Sequence, residues 1–107
     1  MHHLLPYCVY ILLSQKDNNF YVGYTTDLPR RLEEHNQGRN TSTAPRRPFT
    51  LLHGEFYLTQ ADAERRETYL KTAKGRRTLR LMLEQSLKQP NQMADDDLIE
   101  RPHPLQV

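Results

Sequence analysis

The first half of the chain alternates between short apolar runs and clusters of turn-forming residues. Residues 7–14 are apolar at odd and even positions alike, which predicts a strand covered on both faces and therefore central in a sheet. Residues 20–24 predict a second strand, which the turn-forming residues 16–19 make the hairpin partner of the first. Gly23 within it indicates a bulge or the close approach of another group. A third strand is predicted at 49–57.

Helical periodicity and capping residues predict three helices. One helix is predicted from an Asp27 cap over 28 to about 37, and a second from a Thr59 cap through about Lys74, with Gly75 at its end. Leucines spaced four residues apart predict a last helix over 78–88. The resulting order, β-β-α-β-α-α, predicts an α+β fold with a small three-stranded antiparallel sheet flanked by helices.

The distribution of charge separates a basic body from an acidic tail. Residues 91–107 contain four acidic residues and one arginine, a sum of −3, so residues 1–90 carry +5 of the total of +2. We predict one folded domain over 1–90 and a disordered acidic tail over 91–107. A basic body suits a polyanionic partner. Charge alone, however, is explained more simply by a solvated surface.

Cysteine content and hydropathy bear on the compartment. The single cysteine, Cys8, cannot form an internal disulfide, which favours a reducing environment. The apolar run 4–13 is too short to cross a bilayer and lacks the features of a signal peptide. We therefore expect a cytoplasmic protein without a membrane partner.

The first predicted helix carries polar residues near its inward-facing stripe. Leu28, Leu32 and His35 lie on that stripe, and Arg31 lies at its edge, one turn from His35. An unpaired buried charge is costly, so Arg31 and His35 need partners or an open cleft. Periodicity alone is satisfied as well by side chains that extend outward or bond to strand carbonyls.

Three further residues have simple structural explanations when they are taken singly. Glu67 lies near the inward-facing stripe of the second helix and could pair with Arg66 or Lys71. Tyr10 and Tyr21 could be packing residues with one hydrogen bond each. None of these residues establishes a function by itself.

Their order and spacing together resemble the GIY-YIG nuclease family. The similarity covers about residues 7–88 and rests on Tyr10, Tyr21-Val22-Gly23, Arg31, His35 and Glu67. It is greatest to the small stand-alone members of the family, through Tyr21–Asn36, Gly38, Arg46-Arg47-Pro48, Arg66-Glu67 and Leu70-Lys71. The chain departs from the family pattern at Cys8-Val9, where glycine and isoleucine are usual, and at Thr72-Ala73, where an aromatic residue is usual.

The resemblance implies hydrolysis of DNA phosphodiester bonds with one divalent cation, Mg²⁺ or Mn²⁺. It implies Glu67 as the metal ligand and Arg31 as the clamp on the phosphate. Tyr10 would be a base or a water-orienting group, directly or through His35, and Tyr21 would position the phosphate or share that role. Because a tyrosine is a weak base near pH 7, the metal or Arg31 would have to lower its pKa. Further cations would bind backbone phosphates: Arg39, Arg46, Arg47, Lys71, Lys74, Arg76 and Arg77.

Three functions are compatible with the sequence. The first is a monomeric endonuclease that acts on branched or damaged DNA in repair, because one small domain offers little surface for reading a long sequence. The second is a nucleic-acid-binding module on the same fold that does not cut. The third is a partner-binding domain that docks through Leu79, Leu83 and Leu87, although packing within the chain explains that stripe more simply.

Overall fold

The computed structural model describes residues 4–89, which form one antiparallel sheet with helices on both of its faces. The strands are β1 (Tyr7–Ser14), β2 (Phe20–Thr25) and β3 (Phe49–Tyr57). Their order in the sheet is β2-β1-β3, so β1 is central, as its two apolar faces predicted. The predicted tail over 91–107 lies outside the described residues.

Four α-helices complete the described part of the chain. They are α1 (Leu28–Asn36), α2 (Gln60–Leu70), α3 (Ala73–Met82) and the short α4 (Glu84–Leu87). The α+β class and the alternation of the first five elements agree with the sequence prediction. No helix among residues 4–89 has the length and apolar character needed to cross a bilayer.

Alternate side chains of β1 enter two separate clusters. Val9 and Ile11 pack with α2 and α3, through residues such as Leu70 and Leu79. Cys8, Tyr10 and Leu12 pack on the other face, against Phe49 and the leucines of α1. The sheet thus separates the α1 side of the molecule from the α2–α3 side.

The start of each of the first two helices follows from a side-chain cap. Asp27 accepts a hydrogen bond from the Arg30 amide, and Thr59 accepts one from the Asp62 amide. Each cap pairs an amide that the first helical turn leaves without a partner. The caps therefore set where α1 and α2 leave the strands that precede them.

The predicted boundary between the last two helices is wrong. α2 ends at Leu70, and Thr72 caps α3, so Gly75 lies in the first turn of α3 and not at a helix end. A Cβ on Gly75 would lie 2.1 Å from the Tyr69 carbonyl oxygen. Gly75 is therefore required for the close approach of α3 to the end of α2, a tertiary contact that a local reading takes for a helix stop.

The leucine stripe of the last predicted helix packs inside the molecule. Leu79 and Leu83 are buried, and Leu87 packs against the same cluster. The single helix predicted over 78–88 is divided at Leu83 into α3 and α4. Burial of these side chains removes the docking surface that the third candidate function required.

Candidate active site

Tyr10 lies in the middle of the central strand, opposite glycine on both sides. Its Cα partners are Gly23 on β2 and Gly54 on β3, and its side chain is 1% exposed. A Cβ on Gly23 would lie 2.4 Å from the Tyr10 hydroxyl oxygen. The close approach predicted at Gly23 is confirmed, and it lets the Tyr10 ring lie across the edge strand.

His35 connects α1 to the hydroxyl of Tyr10. Its Nε2 lies 2.9 Å from Tyr10 Oη, and the side chain is fully buried. The ring of Tyr21 meets the imidazole edge-on, with the two centroids 5.0 Å apart, and Phe49 approaches it at 5.9 Å. The inward-facing stripe predicted for α1 therefore delivers His35 to both predicted catalytic tyrosines.

Thr43 is a member of this group that the sequence did not reveal. His35 Nδ1 lies 2.9 Å from Thr43 Oγ1, and Thr43 is 1% exposed. Thr43 belongs to a polar loop, so neither helical periodicity nor strand alternation marks it. Thr43 follows His35 by eight residues in the sequence. The chain turns back after Gly38, which has a positive φ of 79°, and this turn brings Thr43 to His35.

Burial keeps both Tyr10 and His35 neutral near pH 7. It raises the pKa of Tyr10, as does the neighbouring Tyr21, and the Arg31 guanidinium offsets this only in part. Burial also lowers the pKa of His35, and the charge of Arg31 lowers it further. Arg31 thus lowers the pKa of Tyr10, as the proposed role of a base requires, but burial and Tyr21 outweigh its effect.

Arg31 lies beside the Tyr10 hydroxyl but is held by an acidic neighbour. Its Nη1 donates to Glu34 Oε1 at 3.0 Å, and Glu34 also accepts from Arg30 Nε at 3.2 Å. These contacts lower the pKa of Glu34, with Arg31 as the largest cause. Arg31 Nε is buried and has no hydrogen-bond partner within the described part of the chain. An unsatisfied buried donor of this kind suits an anionic ligand.

The structure does not bring Glu67 into the hydrogen-bonded group of Tyr10 and His35. Glu67 lies on α2, which packs on the opposite face of the sheet. Its carboxylate forms an ion pair with Lys71 at 3.0 Å. Its charge acts on Tyr24, whose pKa is raised first by burial and then by Tyr7, Glu64 and Glu67. The simpler explanation of Glu67, pairing along the helix, is the one that the structure contains.

The donor set around Glu67 fits one kind of metal site. Residues 4–89 contain no group of three or more histidine, cysteine or acidic side chains that could enclose a metal. The side chain of Glu67 is 21% exposed, so water can reach the carboxylate. Mg²⁺ is commonly bound by one or two carboxylates with waters and substrate phosphates. Glu67 therefore fits as the single protein ligand of such an ion.

Arg46 is engaged in contacts that hold the loop between α1 and β3 onto the β1–β2 hairpin. Its guanidinium binds Asp17 at 2.7 Å and the main-chain carbonyls of Asn19 and Phe20. The Ser14 hydroxyl donates to the Arg46 carbonyl at 2.7 Å. These contacts make Arg46 a structural residue, and its binding to phosphate stays a prediction.

The other predicted phosphate-binding cations differ in their exposure to solvent and in whether another residue already binds them. Arg47 donates to the Ala44 carbonyl at 2.8 Å, and Lys71 is paired with Glu67. Arg39, Lys74 and Arg77 are exposed, and Arg76 is half-buried. The exposed members are the ones available to a polyanion, and their role stays a prediction.

The matched family settles the class of this site. Residues 6–80 match the family model of the GIY-YIG catalytic domain. The chain belongs to the GIY-YIG family. Membership places it in a nuclease superfamily and implies a nucleic-acid substrate.

The chain is also similar to small UPF0213 proteins. A UPF0213 protein of Staphylococcus haemolyticus is 38% identical over 77 residues, which cover 71% of this chain and 93% of that protein. A UPF0213 protein of Halobacterium salinarum is 42% identical over 72 residues, 66% of this chain and 86% of that protein. The solution NMR structure of a UPF0213 protein from Bacillus halodurans has 34% identity and a TM-score of 0.45, and covers 77% of this chain and 84% of that one.

Proposed function

We propose that this GIY-YIG protein is an endonuclease that hydrolyses phosphodiester bonds of DNA with one divalent cation. The observation that carries the proposal is the buried chain of contacts from Tyr10 through His35 to Thr43, with Arg31 beside its open end. A neutral base next to a forked cation is what water activation at a phosphate requires.

Tyr10 and His35 together supply the base. Tyr10 alone is not available as a base, because burial raises its pKa and so favours the protonated hydroxyl. Neutral His35 lies within hydrogen-bond distance of the Tyr10 hydroxyl, so Tyr10 can pass its proton to His35 as it takes one from the attacking water. In this scheme Tyr10 relays the proton and His35 stores it.

Arg31 and Tyr21 act on the phosphate. The forked donors of Arg31 suit two nonbridging oxygens, and its unsatisfied Nε supports this role. The Tyr21 ring lies 6.2 Å from that of Tyr10, which puts both phenols at one site where Tyr21 can orient the phosphate. Tyr21 is packed against His35 before the substrate arrives, whereas Arg31 would exchange its contact with Glu34 for the phosphate.

Glu67 would hold the divalent cation, Mg²⁺ or Mn²⁺, together with waters. When bound, such an ion would supply positive charge that stabilises the phosphate and the leaving oxygen of a substrate that reaches both Glu67 and the Tyr10 side of the sheet. To serve as a ligand, Glu67 would exchange its ion pair with Lys71 for the metal.

The substrate class that we propose is branched or otherwise distorted DNA, as in repair and recombination. The exposed cations Arg39, Lys74 and Arg77 can bind backbone phosphates, which carry no base sequence. A single domain of this size has little surface for reading a long site, so DNA shape is the more accessible signal.

Cleavage by matched variants tests the proposal. Supercoiled plasmid and a branched oligonucleotide are incubated with Mg²⁺ or Mn²⁺ and wild type, Glu67→Gln or Glu64→Gln. Glu64 is an exposed residue of the same helix and accepts a hydrogen bond from Gln60 at 3.0 Å, so its substitution controls for lost charge. We expect cutting by wild type and Glu64→Gln, stopped by EDTA, and a loss of about 100-fold or more in Glu67→Gln.

A nucleic-acid-binding module is the second candidate, and the pairing of Glu67 with Lys71 away from Tyr10 favours it. Salt-sensitive DNA binding that survives EDTA, with no cutting by any variant, would replace the endonuclease with the module. Equal cutting by wild type and Glu67→Gln would instead remove Glu67 from the site.

A further inference from the structure

We infer that Thr43 is a positioning residue that sets the tautomer of His35, and with it the direction of proton transfer from Tyr10. The consequence for catalysis rests on the proposed endonuclease function, whereas the hydrogen-bond geometry does not. Thr43, in the loop between α1 and β3, is not one of the residues on which the family resemblance rests.

A neutral imidazole has one N–H, so one ring nitrogen donates and the other accepts. The two contacts of His35, to Tyr10 and to Thr43, are both 2.9 Å long and do not by themselves distinguish the two nitrogens. The direction of donation along this series of hydrogen bonds must therefore come from the groups at its two ends.

At the Thr43 end, the series of hydrogen bonds finishes on the Asn40 carbonyl, which can only accept. Thr43 Oγ1 lies 3.4 Å from the main-chain carbonyl oxygen of Asn40, and the hydroxyl donates to it. With its proton directed at Asn40, the Thr43 oxygen is left to accept from His35. His35 therefore carries its proton on Nδ1.

At the Tyr10 end, the series of hydrogen bonds begins beside the Arg31 guanidinium, which can only donate. The guanidinium of Arg31 lies beside the Tyr10 oxygen and interacts with it. A guanidinium beside a hydroxyl oxygen can only donate, so the Tyr10 proton is directed away from Arg31 and toward His35 Nε2, which is 2.9 Å away. Both ends thus give the same direction: Tyr10 donates to His35, His35 donates to Thr43, and Thr43 donates to the Asn40 carbonyl.

This direction is the one that the proposed chemistry needs. With the proton on Nδ1, the lone pair of Nε2 faces Tyr10 and can receive its proton. With the opposite tautomer an N–H would face Tyr10, and His35 could not act as a base there. A residue that orients a catalytic imidazole through its second nitrogen typically affects activity by about 10- to 100-fold.

Contacts on both sides of Thr43 hold it in position. Its amide donates to the Asn40 carbonyl at 3.1 Å, and its carbonyl accepts from the Arg46 amide at 2.9 Å. Arg46 is itself fastened to Asp17 and Ser14 of the β1–β2 hairpin. The loop therefore presents Thr43 from a fixed frame, as a positioning role requires.

Nuclear magnetic resonance of the histidine side chains tests the inference without relying on cleavage. The ¹⁵N shifts of His35, assigned with a His35→Gln variant, report its tautomer and pKa in wild type, Thr43→Ser and Thr43→Val. We expect the Nδ1–H tautomer in wild type and Thr43→Ser. In Thr43→Val we expect that preference to be lost and the pKa of His35 to fall further, because the cation loses an acceptor. Wild type in the Nε2–H tautomer would overturn the inference even if Thr43→Val does not fold.

Cleavage kinetics supply the functional half of the test. For Thr43→Val we expect kcat to fall about 10- to 100-fold with KM nearly unchanged and a displaced pH profile, and for Thr43→Ser we expect activity within a few-fold of wild type. Equal losses in both variants would point to a packing role and overturn the inference. If wild type does not cut at all, the proposed function fails, and the tautomer still decides the geometry.

Discussion

At the scale of single residues, the site is defined by how neighbours change ordinary side chains. Burial acts in opposite directions on Tyr10 and His35, raising the pKa of one and lowering that of the other, so both stay uncharged. Arg31 keeps its charge and is matched by Glu34 at 3.0 Å. A phosphate would therefore have to compete with Glu34 for Arg31.

That competition gives a prediction for DNA affinity. Glu34→Gln should strengthen metal-free DNA binding by about two- to fivefold, because the substitution removes a partly exposed ion pair that competes with phosphate for Arg31. Glu33→Gln is the matched control, since Glu33 lies on the same helix and accepts a hydrogen bond from Gln37 at 3.3 Å. Dissociation constants measured at one fixed salt concentration decide the matter. Equal changes in both variants would mean that net charge alone is responsible.

At the scale of elements, two close approaches shape the fold. The Tyr10 ring crosses β2 only because residue 23 has no side chain, and α3 meets the end of α2 only because residue 75 has none. In the first case the glycine serves the site, and in the second it serves the packing of the helices that cover the other face. The two glycines are thus tertiary requirements inside regular elements.

The close contact of α3 with the end of α2 at Gly75 predicts that two glycine substitutions differ in their effect on stability. Gly75→Ala should reduce the free energy of unfolding by about 1–3 kcal/mol, because its Cβ would meet the main chain of Tyr69 and Leu70. Gly54→Ala is the control, since a Cβ there has only ordinary contacts at 3.8 Å or more. Denaturant unfolding followed by circular dichroism measures both. A Gly75→Ala protein as stable as Gly54→Ala would contradict the account of the α2–α3 junction.

At the scale of the whole molecule, the sheet carries the candidate site on one face and a stabilising ionic group on the other. Glu55 on β3 accepts from Arg66 of α2 at 2.8 Å, and also from Tyr57 and His53. Although burial raises the pKa of Glu55, these hydrogen bonds lower it to about 2. The group joins the edge strand to α2 at a distance from Tyr10 and His35.

This ionic group predicts how stability depends on pH. The folded pKa of Glu55 lies below the ordinary value of 4.5, so its contribution is present above about pH 4.5 and is lost as the pH falls toward 2. Glu55→Gln should cost about 2 kcal/mol at pH 7 and flatten the loss of stability over that range. Glu84→Gln, at a side chain that is 62% exposed, should leave the pH profile unchanged. Unfolding free energies between pH 2 and pH 7 provide the test.

The predictions from the sequence succeeded where the physical signal is local. Two apolar faces made β1 central, Asp27 and Thr59 cap the helices as expected, and the Leu79–Leu83 stripe is buried. They failed at Gly75, because a glycine that permits contact between helices has the same local signature as one that ends a helix.

For the candidate site, sequence by itself determined which residue types are present, their order along the chain and hence the family to which it belongs. Only the tertiary structure decided that Tyr10, Tyr21, Arg31 and His35 meet on one face of the sheet while Glu67 lies on a helix of the other. It also added Thr43, which no periodic pattern marks. The physical reason is that spacing in sequence specifies direction within one helix or strand, whereas hydrogen bonds and burial depend on distances between elements that only packing sets.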